Sequence, residues 1–339
     1  NNIERVHLIV LVHGFIGCPQ DLAYVQHALE KQAARAWQER KGKEYFIIHN
    51  CKANLGRTFD GIYAGRDRIT EEIRGVLRAI QNQFGDSLKE VTFSMLGYSL
   101  GGMYARAALP NILPLDEDAS CNILKLTPKV FCTLATPHLG SKGHTYFGVP
   151  SFMERIVSNS FQTSKDLFRQ NSLLHDMVND PQFVKPLLRF EKRIAYANTR
   201  AMDVMVPTST AAILSDTSDS LHYFKSSHQH ACMSLVVETP SRHDLFHDPK
   251  NYREMQMSQK LDAMGWTKVF ADFHGCEQPL NKNGGDVVEE HDSDRQYTSS
   301  ELLAMFAKPK KKLFLPMGHD LLGVNSKNVL YSYMTQRGR

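Results

Sequence analysis

The sequence lacks a cysteine framework, a strong charge of either sign and any long apolar run. Its six cysteines, Cys18, Cys51, Cys121, Cys132, Cys232 and Cys276, are scattered, and none forms a C-x-x-C pair. That excludes a disulfide frame and a cysteine-based zinc site and reads as reduced thiols in an intracellular protein. The net charge of +4 is too small to argue for a nucleic-acid partner. No apolar run reaches the length of a membrane span. No signal peptide is visible in the chain, which begins at Asn1, and no internal repeat is found. What is present is an ordinary globular composition, 42% apolar and 22% charged, able to build a core. The 339 residues suit one large domain with insertions or two smaller ones.

The order of elements favours one domain over residues 1–339. Val6, Leu8, Ile9, Val10, Leu11 and Val12 form a near-continuous apolar run, as expected of a strand buried on both faces. Asp21 opens a helix with Leu22, Val25 and Leu29 on one side. Tyr45–Ile48 reads as a short strand. The helix of Asp67–Phe84 carries Ile69, Ile73, Val76, Leu77 and Ile80 at helical spacing. Further strands are expected at Lys129–Ala135, Arg193–Ala197 and after Gly265. Strands alternating with helices predict an α/β fold with a mostly parallel central sheet and helices on both faces. Residues 143–185 look helical and amphipathic, either a core-packing excursion or a cap over the active site. Residues 209–262 and 281–311 read as polar insertions. The spacing His228-x-His230 lacks a carboxylate or cysteine to complete a metal site, so no metal is expected. The basic run from Lys308 to Lys312 reads as a solvated loop, with a membrane-phosphate contact or a nuclear signal as alternatives.

Chemistry concentrates at Gly97-Tyr98-Ser99-Leu100-Gly101. This fits G-x-S-x-G between an apolar strand, Val91–Leu96, and a helix from Gly102, the context of a nucleophile elbow. Such a turn holds the serine in a strained conformation and lifts its Oγ above the sheet. It needs small residues, here Gly97 and Gly101, where the strand and helix backbones pass closely. A serine hydroxyl also needs a base to take its proton and a carboxylate to orient that base. In chain order serine, acid, histidine, Asp203 is the best-placed acid, since it follows a strand, whereas Asp216 and Asp219 lie in polar sequence. His319, in the turn Pro316–Asp320, is the best-placed base. His138 is the runner-up but precedes the acid. An oxyanion hole needs two backbone N–H groups. Leu100, after the nucleophile, supplies one, and Phe15, behind Gly14 at the end of the first strand, supplies the other.

These segments resemble the "putative serine esterase" group of the α/β-hydrolase superfamily, a lipase-like group with lipid-droplet phospholipase relatives. The resemblance rests on His7–Phe15, Thr58-Phe59-Asp60-Gly61-Ile62 with Gly65 and Arg68, Gly97–Arg106 and Ala135–Gly140. It covers Val6 to about Asp203 and resumes at Leu261–Phe273 and His319. It implies an α/β-hydrolase fold and an intracellular esterase or lipase, cytoplasmic or peripheral to a membrane or lipid droplet. The activity needs no metal or other cofactor, and the substrate is a lipid or small ester. It also implies Ser99 as nucleophile, Asp203 as acid and His319 as base. The sequence departs from many relatives at Tyr98, where they carry histidine, and in the long polar stretch between Asp203 and His319. An inactive lipid-binding scaffold on the same fold is the alternative, with phospholipase or acyltransferase chemistry between the two.

Overall fold

The computed structural model describes residues 3–85, 88–115, 124–141, 160–199, 206–216, 218–226, 233–242, 254–271 and 295–306. Its centre is a nine-stranded sheet in the order β2-β1-β3-β4-β5-β8-β7-β6-β9. The strands are β1 (Arg5–Val12), β2 (Glu44–Cys51), β3 (Glu90–Tyr98), β4 (Leu126–Leu134), β5 (Lys192–Asn198), β6 (Leu221–Ser226), β7 (Met233–Glu238), β8 (Thr267–Ala271) and β9 (Gln296–Thr298). From β2 through β8 in that order the neighbours pair in parallel. The remaining strands add on antiparallel.

The expected strands are therefore present, but the polar stretch 209–262 is not irregular as the sequence reading had it. It contributes β6, β7 and a helix, Glu254–Asp262, and the stretch 281–311 contributes β9 and the helix Ser299–Phe306. The reason is visible in β6, where exposed Leu221 and Tyr223 alternate with buried His222. A strand that buries a histidine and exposes its apolar residues inverts the usual pattern.

Helices α1 (Ala23–Glu39), α2 (Ile62–Phe84) and α3 (Leu100–Ile112) follow β1, β2 and β3. Each then crosses to the next parallel strand. On one face of the sheet, Ile69, Ile73, Leu77 and Ile80 of α2 pack with α3, whose residues are almost all buried. A helix apolar all round is one enclosed on all sides. On the other face α1 lays Val25 and Leu29 against Leu11, Leu134 and Tyr98. Helices α4 (Gln162–Leu167), α5 (Leu173–Asn179) and α6 (Pro181–Leu188) fall in the stretch read as either excursion or cap. Leu173, Leu174, Met177, Val178, Phe183, Val184 and Leu187 of α5 and α6 join the main core. Four further helical segments are a 3-10 turn at Pro19–Leu22, α7 (Thr208–Ala211), α8 (Glu254–Asp262) and α9 (Ser299–Phe306).

Helix α2 begins at Ile62, five positions before the expected Asp67. Its first amides are satisfied from far away in the chain: Ile62 N–H donates to Asp166 Oδ2 at 2.7 Å and Gly61 N–H to Thr163 Oγ1 at 2.9 Å. Helix starts leave such donors open, and distant side chains here close them.

Candidate active site

The sheet order sets the place of the site. The chain passes from β1 outward to β2, then returns across β1 to β3, so the connections diverge between β1 and β3. In open α/β sheets the crevice beyond the carboxyl ends at such a switch point is where ligands bind. Val12 of β1 is in register with Gly97 of β3. Two residues further along each strand, Gly14 and Ser99 meet. A Cβ on Gly14 would lie 2.8 Å from Ser99 Cβ, 3.0 Å from the Tyr98 carbonyl and 3.3 Å from Ser99 Oγ.

Ser99 joins β3 to α3 at φ 55° and ψ −127°. A non-glycine residue at positive φ is strained, and strain of this kind persists only where the surroundings enforce it. Backbone groups and one side chain enforce it here. Ser99 N–H donates to the Leu134 carbonyl at 2.7 Å, and its own carbonyl accepts from Gly102 N–H at 3.0 Å and from Thr136 Oγ1 at 3.0 Å. A Cβ on Gly97 would come 2.3 Å from Gly102 Cα, and one on Gly101 2.1 Å from the Val12 carbonyl. Both glycines thus serve the close strand–helix approach that the motif predicts. Ser99 is 6% exposed, and Leu100, the first residue of α3, is buried. The opening turn of α3 brings unpaired amides and the positive end of the helix dipole to the same point.

The loop after β1 is a turn closed by Gly17 N–H to the Gly14 carbonyl at 3.2 Å. Asp21 Oδ2 accepts from Cys18 N–H at 2.9 Å, and Thr58 Oγ1 accepts from Ile16 N–H at 2.9 Å. Phe15 between them is half-buried. Its ring meets Phe59 at 4.9 Å and Phe161 at 6.1 Å, and these two meet at 4.9 Å. An aromatic wall therefore stands beside the loop that abuts Ser99. Phe161 lies in the amphipathic stretch that the sequence reads as a core-packing excursion or a cap, and Thr136 lies within a quoted family segment, but neither Thr58 nor Thr136 has an individual role in the sequence reading. Thr58 lies within a quoted family segment, but nothing local marks its bond to Ile16.

The runner-up base is committed elsewhere. His138 is fully buried, Arg106 Nη1 lies 3.1 Å from its Nδ1, and Thr133 Oγ1 lies 2.9 Å from its Nε2. A guanidinium only donates, so Nδ1 accepts and Nε2–H donates to Thr133. Burial, then the charges of Arg106 and Lys268, hold His138 well below the usual histidine range. Burial lowers Arg106 to about 10. His13 is buried too, its Nδ1 3.1 Å from the Gly14 carbonyl, and burial keeps its imidazole neutral-leaning. Both ring nitrogens of His138 are thus engaged, whereas His13 Nε2 is buried with no hydrogen-bond partner among the described residues. The expected acid and base, Asp203 and His319, lie outside the described residues, as do His228 and His230.

Among the described residues, one group has metal-ligand character: His49, Cys51 and Glu72, with their ligand atoms within 4.8 Å of one another. Glu72, however, accepts from His49 Nε2 at 2.9 Å, from Ala53 N–H at 2.8 Å and from Lys52 N–H at 3.1 Å. Burial pushes the Cys51 thiol well up, further from a thiolate. The carboxylate is the brace of the loop after β2. No described helix is long and apolar enough to cross a membrane.

Residues 2–217 match the family described as "Putative serine esterase (DUF676)". The chain is 23% identical over 326 residues to "Putative lipase YDR444W" of Saccharomyces cerevisiae, covering 86% of this chain. It spans about half (46%) of the length of that curated relative. Among solved structures it is similar to phospholipase PlaB from Legionella pneumophila in complex with thio-NAD, at 14% identity and TM-score 0.36. That match covers 62% of this chain and 42% of PlaB. It is also similar to the peroxisomal alpha-beta-hydrolase Lpx1 of Saccharomyces cerevisiae, at 11% identity and TM-score 0.30, covering 62% and 66%. With its parallel sheet, its strained Ser99 after β3 and a family match over most of its length, the chain has the α/β-hydrolase fold and belongs to the "Putative serine esterase" family.

Proposed function

We propose that the chain hydrolyses carboxylic esters of lipids through an acyl-enzyme on Ser99. The observation that carries this is the conformation of Ser99, held at φ 55° against Gly14 at the switch point of the sheet. Ser99 Oγ attacks the ester carbonyl carbon while a histidine, His319 in this reading, takes its proton with Asp203 orienting the imidazole. The tetrahedral oxyanion is met by the amides of Leu100 and Phe15. Collapse breaks the bond to the alkoxide, which takes the proton from the imidazolium and leaves as the alcohol. Water, deprotonated by the same histidine, then attacks the acyl-serine and releases the carboxylic acid. An alcohol in place of water would give acyl transfer from the same intermediate.

The apolar wall of Phe15, Phe59 and Phe161 supports an acyl chain rather than an acetyl group as the favoured acid part. Phe161 stands just before α4, at the described start of the 143–185 stretch whose α5 and α6 pack into the main core, so in this reading only that start flanks the serine, and lipid substrates place the protein at a membrane or lipid-droplet surface. A fluorophosphonate probe labels the wild type at Ser99 and leaves Ser99→Ala unlabelled. Equal labelling of both proteins refutes the assignment. Across a p-nitrophenyl ester series, kcat/KM rises with acyl length beyond acetate; a strict preference for acetate refutes the lipid part.

A further inference from the structure

The loop from Lys52 to Gly61, between β2 and α2, is held unusually firmly. Glu72 takes the amides of Lys52 and Ala53. Asn54 is buried; its Nδ2 donates to the Gly65 carbonyl at 3.1 Å and its Oδ1 accepts from Arg68 Nε at 2.7 Å. Arg68 also donates to the Arg57 carbonyl and to Asp60, each at 2.7 Å. The Thr58 carbonyl accepts from Thr163 Oγ1 at 2.7 Å, and Thr58 Oγ1 holds Ile16 of the neighbouring loop. Yet what this scaffold presents outward is apolar. Leu55 is 55% exposed, Phe59 39% and Ile16 71%, the last a β-branched residue at φ 52°. Isoleucine at positive φ is strained, and Ile16 recovers little of that cost by burial within the fold.

Charge at the same loop has one sign to spare. Lys52 and Arg57 are exposed, and neither side chain forms an ion pair with a described residue. The nearby acids are taken: Asp60 by Arg68, Asp67 by Arg66, and Glu72 by His49 and the loop amides. Apolar tips with unpaired cations beside them match the boundary of an anionic lipid layer, acyl chains below and phosphates above. The patch adjoins Phe15, and through it the approach to Ser99.

We propose that this face, with Leu55, Ile16 and Phe59 inserted and Lys52 and Arg57 on the head groups, docks the protein on an anionic phospholipid bilayer. The inference rests on the lipid-ester reading. A lipid layer there supplies substrate to Ser99, whereas a protein seated on the same face would obstruct it.

The test is flotation with phosphatidylcholine vesicles, with and without phosphatidylserine, using Ser99→Ala protein so that binding does not depend on hydrolysis. Phosphatidylserine strengthens binding, and added salt weakens it. Leu55→Ser weakens binding to both vesicle types by about ten-fold. Lys52→Ala and Arg57→Ala each weaken it by about five-fold on phosphatidylserine vesicles alone. All three residues are exposed, so thermal unfolding is unchanged. In the Ser99-containing protein, hydrolysis of a soluble short ester by these variants is also unchanged. Vesicle binding that ignores these substitutions, or no binding to either vesicle, overturns the proposal. So does a Leu55-dependent dimer in light scattering without vesicle binding, which would give the face to a second copy. Fluorophosphonate labelling in parallel separates the two readings. A protein that labels at Ser99 but does not bind loses only the docking face, and one that binds through Leu55 without labelling loses the esterase.

Discussion

The strain at Ser99 makes an unusual forecast: the proposed nucleophile can be replaced by a residue that makes the fold more stable. The serine sits at φ 55° and ψ −127°, and its backbone is fixed by bonds from its own N–H and carbonyl, to Leu134, Gly102 and Thr136. Its Oγ makes no hydrogen bond to a described residue, so both Ser99→Ala and Ser99→Gly keep the network that imposes the turn. Alanine keeps the Cβ and therefore the strain. Glycine removes the Cβ, which relieves about 1–3 kcal/mol of strain. Against this stands the greater freedom of glycine in the unfolded chain, about 0.5–1 kcal/mol. The expected net is a gain of about 1 kcal/mol, and at most about 2.5 kcal/mol, for Ser99→Gly over Ser99→Ala, with both inactive. Because both lose the same hydroxyl, their difference isolates the backbone term. Urea unfolding followed by tryptophan fluorescence and by far-UV circular dichroism measures it. A Ser99→Gly protein no more stable than Ser99→Ala would show that the turn stores no strain, and would remove the observation on which the nucleophile assignment rests.

Three further outcomes follow from the same structure. Gly14→Ala places a methyl 2.8 Å from Ser99 Cβ and 3.0 Å from a backbone carbonyl, neither of which is a flexible side-chain end. Steady-state kinetics then show kcat/KM down by about 10² or more, with fluorophosphonate labelling slowed in proportion. His138 is kept neutral in the fold, below its ordinary 6.5. The unfolded chain therefore binds the extra proton as pH falls through 6.5, and stability is full above that pH and declines below it. With an unfolded value of about 6.5, the loss from this group between pH 7 and pH 5 is at most about 2 kcal/mol. His138→Gln shows a shallower decline in urea unfolding at the two pH values; an identical pH dependence would contradict the buried, neutral imidazole. Lys268 is fully buried, paired with Asp262 at 2.5 Å and beside His222 Nε2 at 2.8 Å. Lys268→Met strands the Asp262 charge and costs about 3–5 kcal/mol, whereas adding Asp262→Asn recovers part of it in a double-mutant cycle.

The parts of the fold that sequence disclosed are those whose cause is local. The elbow is spelled within five residues because Gly97 and Gly101 must each admit a passing backbone. The apolar run of β1 shows because a central parallel strand is covered on both faces. The parts it hid depend on contacts across long separations. The true start of α2 is set by Asp166, 104 positions away. Strands β6, β7 and β9 were hidden for a different reason. They are built around charged side chains, Lys268, Asp262 and His222, that a window of sequence assigns to solvent. Burial of such a group becomes legible only when its partner is seen.

The same distinction accounts for what became of the histidines. Sequence order alone placed His138 behind His319 as a candidate base, an argument from chain position and not from chemistry. In the fold the Ala135–Gly140 loop has a separate task. Thr136 Oγ1 holds the Ser99 carbonyl, and the turn behind it is locked by the line Arg106 to His138 to Thr133, closed by Thr133 Oγ1 on the Ile194 carbonyl at 3.4 Å. A cation buried with no carboxylate partner among the described residues is costly. Here Arg106 extends from the helix that begins beside Ser99 into the loop that braces it, donating to His138 and, at 3.4 Å, to the Met177 carbonyl of α5. One side chain thus ties α3, the bracing loop and the helices of the 143–185 stretch together behind Ser99. Because α3 and that loop both hold the strained turn, loosening Arg106 should relax the conformation of Ser99 before it unfolds the sheet. Arg106→Met would then lose turnover at temperatures where the far-UV signal is still native.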